Sequence, residues 1–311
     1  MENTRAKTTR NSLILLLTAT IWGMAFVSQS KGMDYMHPFT FNGVRSLIGA
    51  AGILVYILIS RKIAGDKATK LDWKLNVRAG LLCGIFLTIA STLQQFGIKY
   101  TSVGKAGFIT TLYIIFVPMF GIFLKKKVAP VVWAAAGMAA VGMYLLCMTE
   151  SLRLGAGDIM VFLCAIAFAI QIMTVDHYAA RIDGAVVSCI QFTVCGVVCC
   201  IGALIWGQPT FGQIQEGLGA LLYAGVLSCG VGYTLQIVGQ KGLNPTVAAL
   251  IMSLESVIAT ISGWIAYKIG FLSTDQTLTP RQIAGCVIVF AAVILVQLPP
   301  EWFRFGKKNA S

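Results

Sequence analysis

Leu93–Gly121 reads LQQFGIKYTSVGKAGFITTLYIIFVPMFG, and Leu235–Gly263 reads LQIVGQKGLNPTVAALIMSLESVIATISG. The two stretches lie 142 positions apart and align without a gap. Extended to Leu124 and Ala266, they match at Leu93/Leu235, Gln94/Gln236, Gly97/Gly239, Lys99/Lys241, Ala106/Ala248, Ile109/Ile251, Leu112/Leu254 and Gly121/Gly263. Eight identities exceed the roughly two or three that so biased a composition gives by chance. Both copies keep one order: apolar segment, lysine-bearing loop, apolar segment. The chain therefore reads as an internal duplication, with halves at 1–150 and 151–311.

Around the repeat the chain is strongly apolar. Of 311 residues, 57% are hydrophobic and 12% charged, and the mean hydropathy is +0.79. A soluble domain carries about a quarter charged residues, so there is too little polar surface here to coat a water-soluble globule. A bilayer span takes about 20 apolar residues. Charge-free windows of that order run Asn11–Ser30, Ser46–Ser60 (reaching back to Phe39 across Arg45), Ala79–Ile98, Ala106–Leu124 and Val128–Thr149. They continue as Ile159–Val175, Gly184–Gln215, Gly217–Gln240, Pro245–Tyr267 and Gln282–Pro300. Without water to satisfy the backbone, such spans are helices. The sequence thus predicts an all-α integral membrane protein of ten transmembrane helices, five in each half.

Arg5, Lys7 and Arg10 before the first window resemble a signal n-region, but the apolar run is long and no Ala-x-Ala site follows. The segment reads as a retained helix. Short loops on the side of the N-terminus carry 17 Lys and Arg, against 6 on the other side. That asymmetry predicts both termini in the cytoplasm, and the expected location of this multi-pass protein is the cell (plasma) membrane. Five helices per half turn the second copy upside down, and inverted halves are the scaffold of alternating-access carriers. The leading reading is a secondary-active carrier, not an enzyme. The alternatives are a membrane-embedded enzyme and a channel without alternating access.

The net charge of +12 is dispersed through the loops, so a nucleic-acid partner is not expected. The expected partners are the lipid bilayer and a small-molecule substrate. No Walker sequence, nucleophile elbow or His-Glu-x-x-His motif is present; no cofactor is expected, and energy comes from a gradient. The nine cysteines lie inside apolar windows without a Cys-x-x-Cys pair and read as packing residues. Cys195 and Cys199, at i and i+4, have spacing for a soft metal ion. No His or acid lies within helical reach of them, so no metal site is expected.

The motifs resemble the drug/metabolite transporter superfamily, and its EamA-type members in particular, over nearly the whole chain. TATIWGMAF carries a Trp22-Gly23 opening, and HPFTFNGVR ends in Arg45. GKAGFITTLYIIFVPMFG and NPTVAALIMSLESVIATISGW resemble the family's repeated fourth and ninth helices. The resemblance implies a carrier of small metabolites, commonly an exporter of amino acids or related amphipathic compounds. Two departures stand out. Glu255-Ser256 replaces a common Glu-Pro, so the kink expected at Pro118 lacks a proline counterpart. Lys125–Lys127 and Tyr267-Lys268 stand where relatives often carry Gly-Glu.

Several intramembrane residues are candidates for substrate binding or coupling. Glu255 is an acid at mid-span with no charge one turn away, and such groups mark substrate or proton sites when they face a cavity or partner. A structural hydrogen bond is the competing role. Arg45, inside the second span, has three readings: snorkelling to the outer surface, clamping an anionic substrate, or pairing with an acid. Tyr113 is the repeat partner of Glu255. Trp22, Tyr233 and Trp264 are candidate aromatic walls. Gln94, Gln171 and Gln236 are buried amides that need partners, as interhelical ties or as polar lining. The expected cavity lies between the halves, walled by the first, third, fourth, sixth, eighth and ninth helices.

Overall fold

The computed structural model describes residues 2–65, 71–125, 130–147, 155–273 and 275–297. Among them there are helices and connecting turns and no strand. In chain order the helices are α1 (Glu2–Gly32), α2 (Pro38–Ala64), α3 (Trp73–Ile98), α4 (Val103–Thr111), α5 (Tyr113–Phe123), α6 (Pro130–Cys147) and α7 (Ala156–Tyr178). They continue with α8 (Gly184–Gly202), α9 (Phe211–Glu216), α10 (Leu218–Leu222), α11 (Tyr233–Gln240), α12 (Pro245–Met252), α13 (Glu255–Lys268) and α14 (Pro280–Gln297).

Local chemistry sets many of the starts. His37 caps α2 with Pro38 at its first position, Asp72 caps α3, Asp183 caps α8, and Asn244 caps α12 ahead of Pro245. Each side chain accepts a backbone N–H that the first turn leaves free, and proline supplies a φ already suited to the helix. Ser102 does the same for α4, taking the Lys105 N–H.

Among the described residues, eight helical segments are long and apolar enough to cross a membrane. They include α4 with α5, α8 with its π-helical extension Ala203–Gly207, Leu218–Gln240 as one run, and α12 with α13. The apolar parts of α6 and α14, Pro130–Gly142 and Pro280–Leu295, are shorter. The windows Val128–Thr149 and Gln282–Pro300 extend outside the described residues, as does the boundary between the proposed halves at 150 and 151.

Two spans are broken at matching places. α4 ends at Thr111 and α5 begins at Tyr113; α12 ends at Met252 and α13 begins at Glu255. The Thr111 hydroxyl donates to the Phe108 carbonyl at 2.8 Å, and the Ser253 hydroxyl to the Leu250 carbonyl at 2.7 Å. Both donors and both acceptors are related by the 142-residue offset. A hydroxyl that takes a carbonyl from the ladder bends a helix. The second span is broken although it has no proline counterpart, which corrects the expectation that Pro118 would distinguish the two copies.

The helices pack as a bundle in which α2 lies along α8, α3 against α7 and α8, α1 against α13 and α11, and α6 along α14. The α3–α8 contact depends on Gly80 and Gly84. A methyl at Gly80 would sit 2.6 Å from the Ile190 Cβ, and one at Gly84 2.9 Å from the Val194 Cβ. Small residues allow this approach between membrane helices. A half-buried ion pair, Lys105 Nζ to Asp158 Oδ2 at 2.6 Å, fastens α4 to the first turn of α7. The Thr101 hydroxyl and the Gly155 N–H donate to the same carboxylate.

Candidate functional site

A set of buried polar groups lines one cavity between the helices. Its walls come from α1, α3, α4, α5, α7, α11 and α13, as the expected helices supply, and also from α2 and α8. The π-helical stretch Tyr223–Gly232, rich in glycine, belongs to the eighth wall and brings Ser228 and Cys229 to the cavity. The space open to the centre of a water is about 40 Å³. At about 10–15 Å³ per water on that measure, it has room for about three.

Eight of the nine sequence candidates line it: Glu255, Tyr113, Arg45, Trp22, Gln94, Gln171, Gln236 and Tyr233. Trp264 does not. It follows Glu255 by nine residues, which at about 100° per residue turns it to the opposite side of α13, where it is half-buried.

Glu255 is 4% exposed and begins α13, just past the break. The Tyr113 hydroxyl donates to its Oε1 at 3.0 Å. A helix N-terminus also favours an acidic group through its free N–H ends. The break in α4–α5 places Tyr113 and the break in α12–α13 places Glu255, so each donor–acceptor partner begins its half-helix.

Arg45 is 5% exposed, which rules out the snorkelling reading. Its Nε donates to Asn42 Oδ1 at 2.9 Å, and its guanidinium lies 5.4 Å from the Phe41 ring centre. The Asn42 amide in turn donates to the Ser91 carbonyl at 2.9 Å. Among the described residues, no carboxylate lies within ion-pair distance of Arg45. A guanidinium has five N–H donors. The acid-pairing reading therefore finds no partner among the described residues, and a buried charge is left facing the cavity.

The amides act as both ties and lining. Gln171 and Gln236 exchange hydrogen bonds at 3.5 and 3.2 Å, joining α7 to α11, and Gln94 donates to the Thr110 hydroxyl at 3.2 Å. Trp22 and Tyr233 rings lie 4.5 Å apart, Phe192 meets Tyr233 edge-on at 5.0 Å, and the Trp22 indole donates to the Ser228 carbonyl at 3.4 Å. Sequence reading missed Gln29, Ser46 and Ser91, which also line the cavity. Helical period held the signal for two of them: Gln29 lies seven residues after Trp22 and Ser91 three before Gln94, each on the same face as its neighbour. The Gln29 Oε1 is buried without a protein partner.

Comparison with known proteins agrees with this architecture. The chain is 27% identical over 290 residues to an uncharacterized transporter of Archaeoglobus fulgidus, covering 91% of this chain and 84% of that one. It is 24% identical over 295 residues to the uncharacterized transporter YwfM of Bacillus subtilis, covering 93% and 94%. A solved crystal structure, 16% identical, superposes with a TM-score of 0.73 over 96% of this chain and 99% of its own, and so shares the fold. The sequence profile of the EamA-like transporter family matches twice, at residues 10–148 and 155–298. With both matches together spanning nearly its whole length, this multi-pass membrane chain belongs to the EamA-like transporter family.

Proposed function

We propose that the protein is a secondary-active carrier that exports small zwitterionic metabolites, amino acids foremost, across the plasma membrane by alternating access. Ten spans form two inverted five-helix halves, 1–150 and 151–311, with both termini in the cytoplasm. The observation that carries this reading is the Tyr113–Glu255 hydrogen bond inside a polar cavity. Positions related by a two-fold axis touch each other only close to that axis, so the pair marks the middle of the molecule.

The packing supports the same symmetry. Exchanging the halves maps the α3–α7 contact onto the contact of α1 with Leu218–Gln240, and the α1–α13 contact onto that of α7 with α4 and α5. The α2–α8 and α6–α14 contacts map onto themselves. α6 and α14 each have 18 described residues, about 27 Å of helix at 1.5 Å per residue. That nearly spans a hydrocarbon core of about 30 Å.

The chemistry of the cavity supports the substrate class. Arg45 offers donors to a carboxylate, Glu255 offers an acceptor to an ammonium group or exchanges a proton, and the Trp22–Tyr233 wall meets an apolar side chain. A cavity with room for about three waters must widen to take the larger amino acids. Opening it to one side at a time is what lets the two half-helix breaks and the glycine contacts move. The test is counterflow in proteoliposomes with a panel of labelled amino acids. Saturable exchange supports a carrier, unsaturated flux indicates a channel, and release of a chemically altered product indicates an enzyme.

A further inference from the structure

Behind the cavity wall lies a second group of reactive side chains. Cys195 and Cys199 sit one turn apart on α8 and are 1% and 0% exposed. Ser46 donates to the Cys195 sulfur at 3.5 Å, and the Ser91 hydroxyl lies 3.4 Å from the same atom. The Thr92 hydroxyl lies 3.5 Å from the Cys199 sulfur. Ser46 and Ser91 both line the cavity, so the thiols lie one layer beyond it. Arg45 is next to this pair through the same residues: it precedes Ser46 on α2, and Asn42 ties its guanidinium to the Ser91 backbone.

We propose that Cys195 and Cys199 form a two-coordinate binding site for a soft monovalent cation of the Cu(I) or Ag(I) class, with Arg45 as its counter-charge. Geometry excludes the simpler use of the pair. Side chains at i and i+4 have Cβ atoms about 5–6 Å apart, whereas a disulfide needs about 3.5–4.5 Å. Direct S–S bonding would distort α8. An inserted metal spans the gap: two metal–sulfur bonds of about 2.3 Å, the length typical for Zn–thiolate, set in line reach roughly 4.6 Å. Thiolate ligands select soft ions such as Cu(I). The absence of a histidine or acid nearby, which argues against a four-coordinate ion, is no obstacle to a linear one.

Charge selects the monovalent class. Binding releases both thiol protons to solvent, and two thiolates with one M⁺ leave a complex of net charge −1. A buried net charge is costly unless paired, and Arg45 is a buried cation with no carboxylate partner among the described residues. A divalent soft ion gives a neutral complex and gains nothing from Arg45. The inference does not depend on the identity of the carried substrate.

The experiment titrates purified full-length protein, under reductant, with Cu(I) or Ag(I) buffered by a competing chelator. Bound metal is counted after desalting, and X-ray absorption reads the coordination. The expected result is one tightly held ion with two sulfur neighbours. Cys195→Ser and Cys199→Ser each lose it, while Cys83→Ser, a buried thiol on α3, keeps it. Gel filtration confirms that each variant folds. Arg45→Gln weakens Cu(I) and Ag(I) binding at least tenfold and leaves Hg(II) binding unchanged. The proposal is overturned if Cys195→Ser or Cys199→Ser retains the ion, if Cys83→Ser loses it equally, or if Arg45→Gln affects Hg(II) and Cu(I) alike.

Discussion

The Tyr113 hydroxyl donates to Oε1 of Glu255 at 3.0 Å across a sequence separation of 142 residues, the offset that aligns the two copies of the repeat. Equivalent positions of the two copies have thus diverged into a donor and an acceptor that meet in the cavity. In the proposed carrier this breaks the symmetry where it matters: one half brings a titratable acid and the other a phenol that orients it. Glu255→Gln keeps the shape and removes the titration. Proteoliposome uptake over a range of pH is expected to be lost or to become pH-independent, with normal gel filtration. Tyr113→Phe keeps the carboxyl and is expected to lower uptake without flattening the pH profile. Parent-like transport by Glu255→Gln at every pH would show the acid to be structural.

Arg45 supplies the carboxylate side of the site. Hydrogen bonds to charged groups contribute about 1.5–3 kcal/mol, equivalent to about 10- to 150-fold in affinity. Competition of uptake by an amino acid and by its decarboxylated amine compares the two directly. Wild type is expected to prefer the amino acid by that factor, and Arg45→Gln to abolish the preference. Equal preference in both proteins would remove Arg45 from the substrate site.

The glycine contacts predict opposite signs for the same substitution at two places. Gly84→Ala drives a methyl to 2.9 Å from the Val194 Cβ and is expected to destabilise by about 1–3 kcal/mol through overpacking. Gly52→Ala meets nothing within 4 Å in α2 and is expected to be stabilising by up to about 1 kcal/mol through helix propensity. Thermal unfolding in detergent reads both; a lower melting temperature for Gly52→Ala, or a higher one for Gly84→Ala, contradicts the packing.

His37 lies between α1 and α2, and its Nδ1 accepts the Phe39 N–H at 3.4 Å. Burial holds its pKa below the ordinary histidine value, and the Lys99 charge adds to the depression. A folded pKa below the unfolded one means that protonation favours the unfolded chain. The contribution is therefore full above the ordinary histidine range and is lost as pH falls through the folded value. His37→Asn keeps a capping acceptor that does not titrate. Its stability is expected to vary less with pH than the wild type between about pH 7 and 5, a range around the ordinary histidine pKa. Identical pH profiles would refute the cap's role.

Orientation is tested by chemistry from outside. Arg61→Cys or Lys62→Cys, in a background without the nine native cysteines, is expected to resist an impermeant thiol reagent in intact cells. Efficient labelling at either position would invert the topology.

Much of this protein is written along the chain. Membrane helices form because an apolar run without water must satisfy its own backbone, a local rule that needs only composition and length. The repeat, read as Gln94/Gln236 and Lys99/Lys241, marked the segments that the structure breaks at matching points. Position within the charge-free windows also put Tyr113 and Glu255 near mid-span, and depth in a span is a one-dimensional quantity. Direction around the helix axis is not, when a helix is apolar on all sides. Trp264 therefore faces away from the cavity, and the α12–α13 span breaks at Ser253, where the hydroxyl bonds the Leu250 carbonyl, without a proline. Only tertiary structure decided what surrounds each buried charge. Sequence left Arg45 between lipid surface, acid and ligand. Packing buried it beside Asn42, Ser91 and the Cys195–Cys199 pair with no carboxylate in reach among the described residues, because those neighbours come from three helices whose mutual rotation no local rule sets.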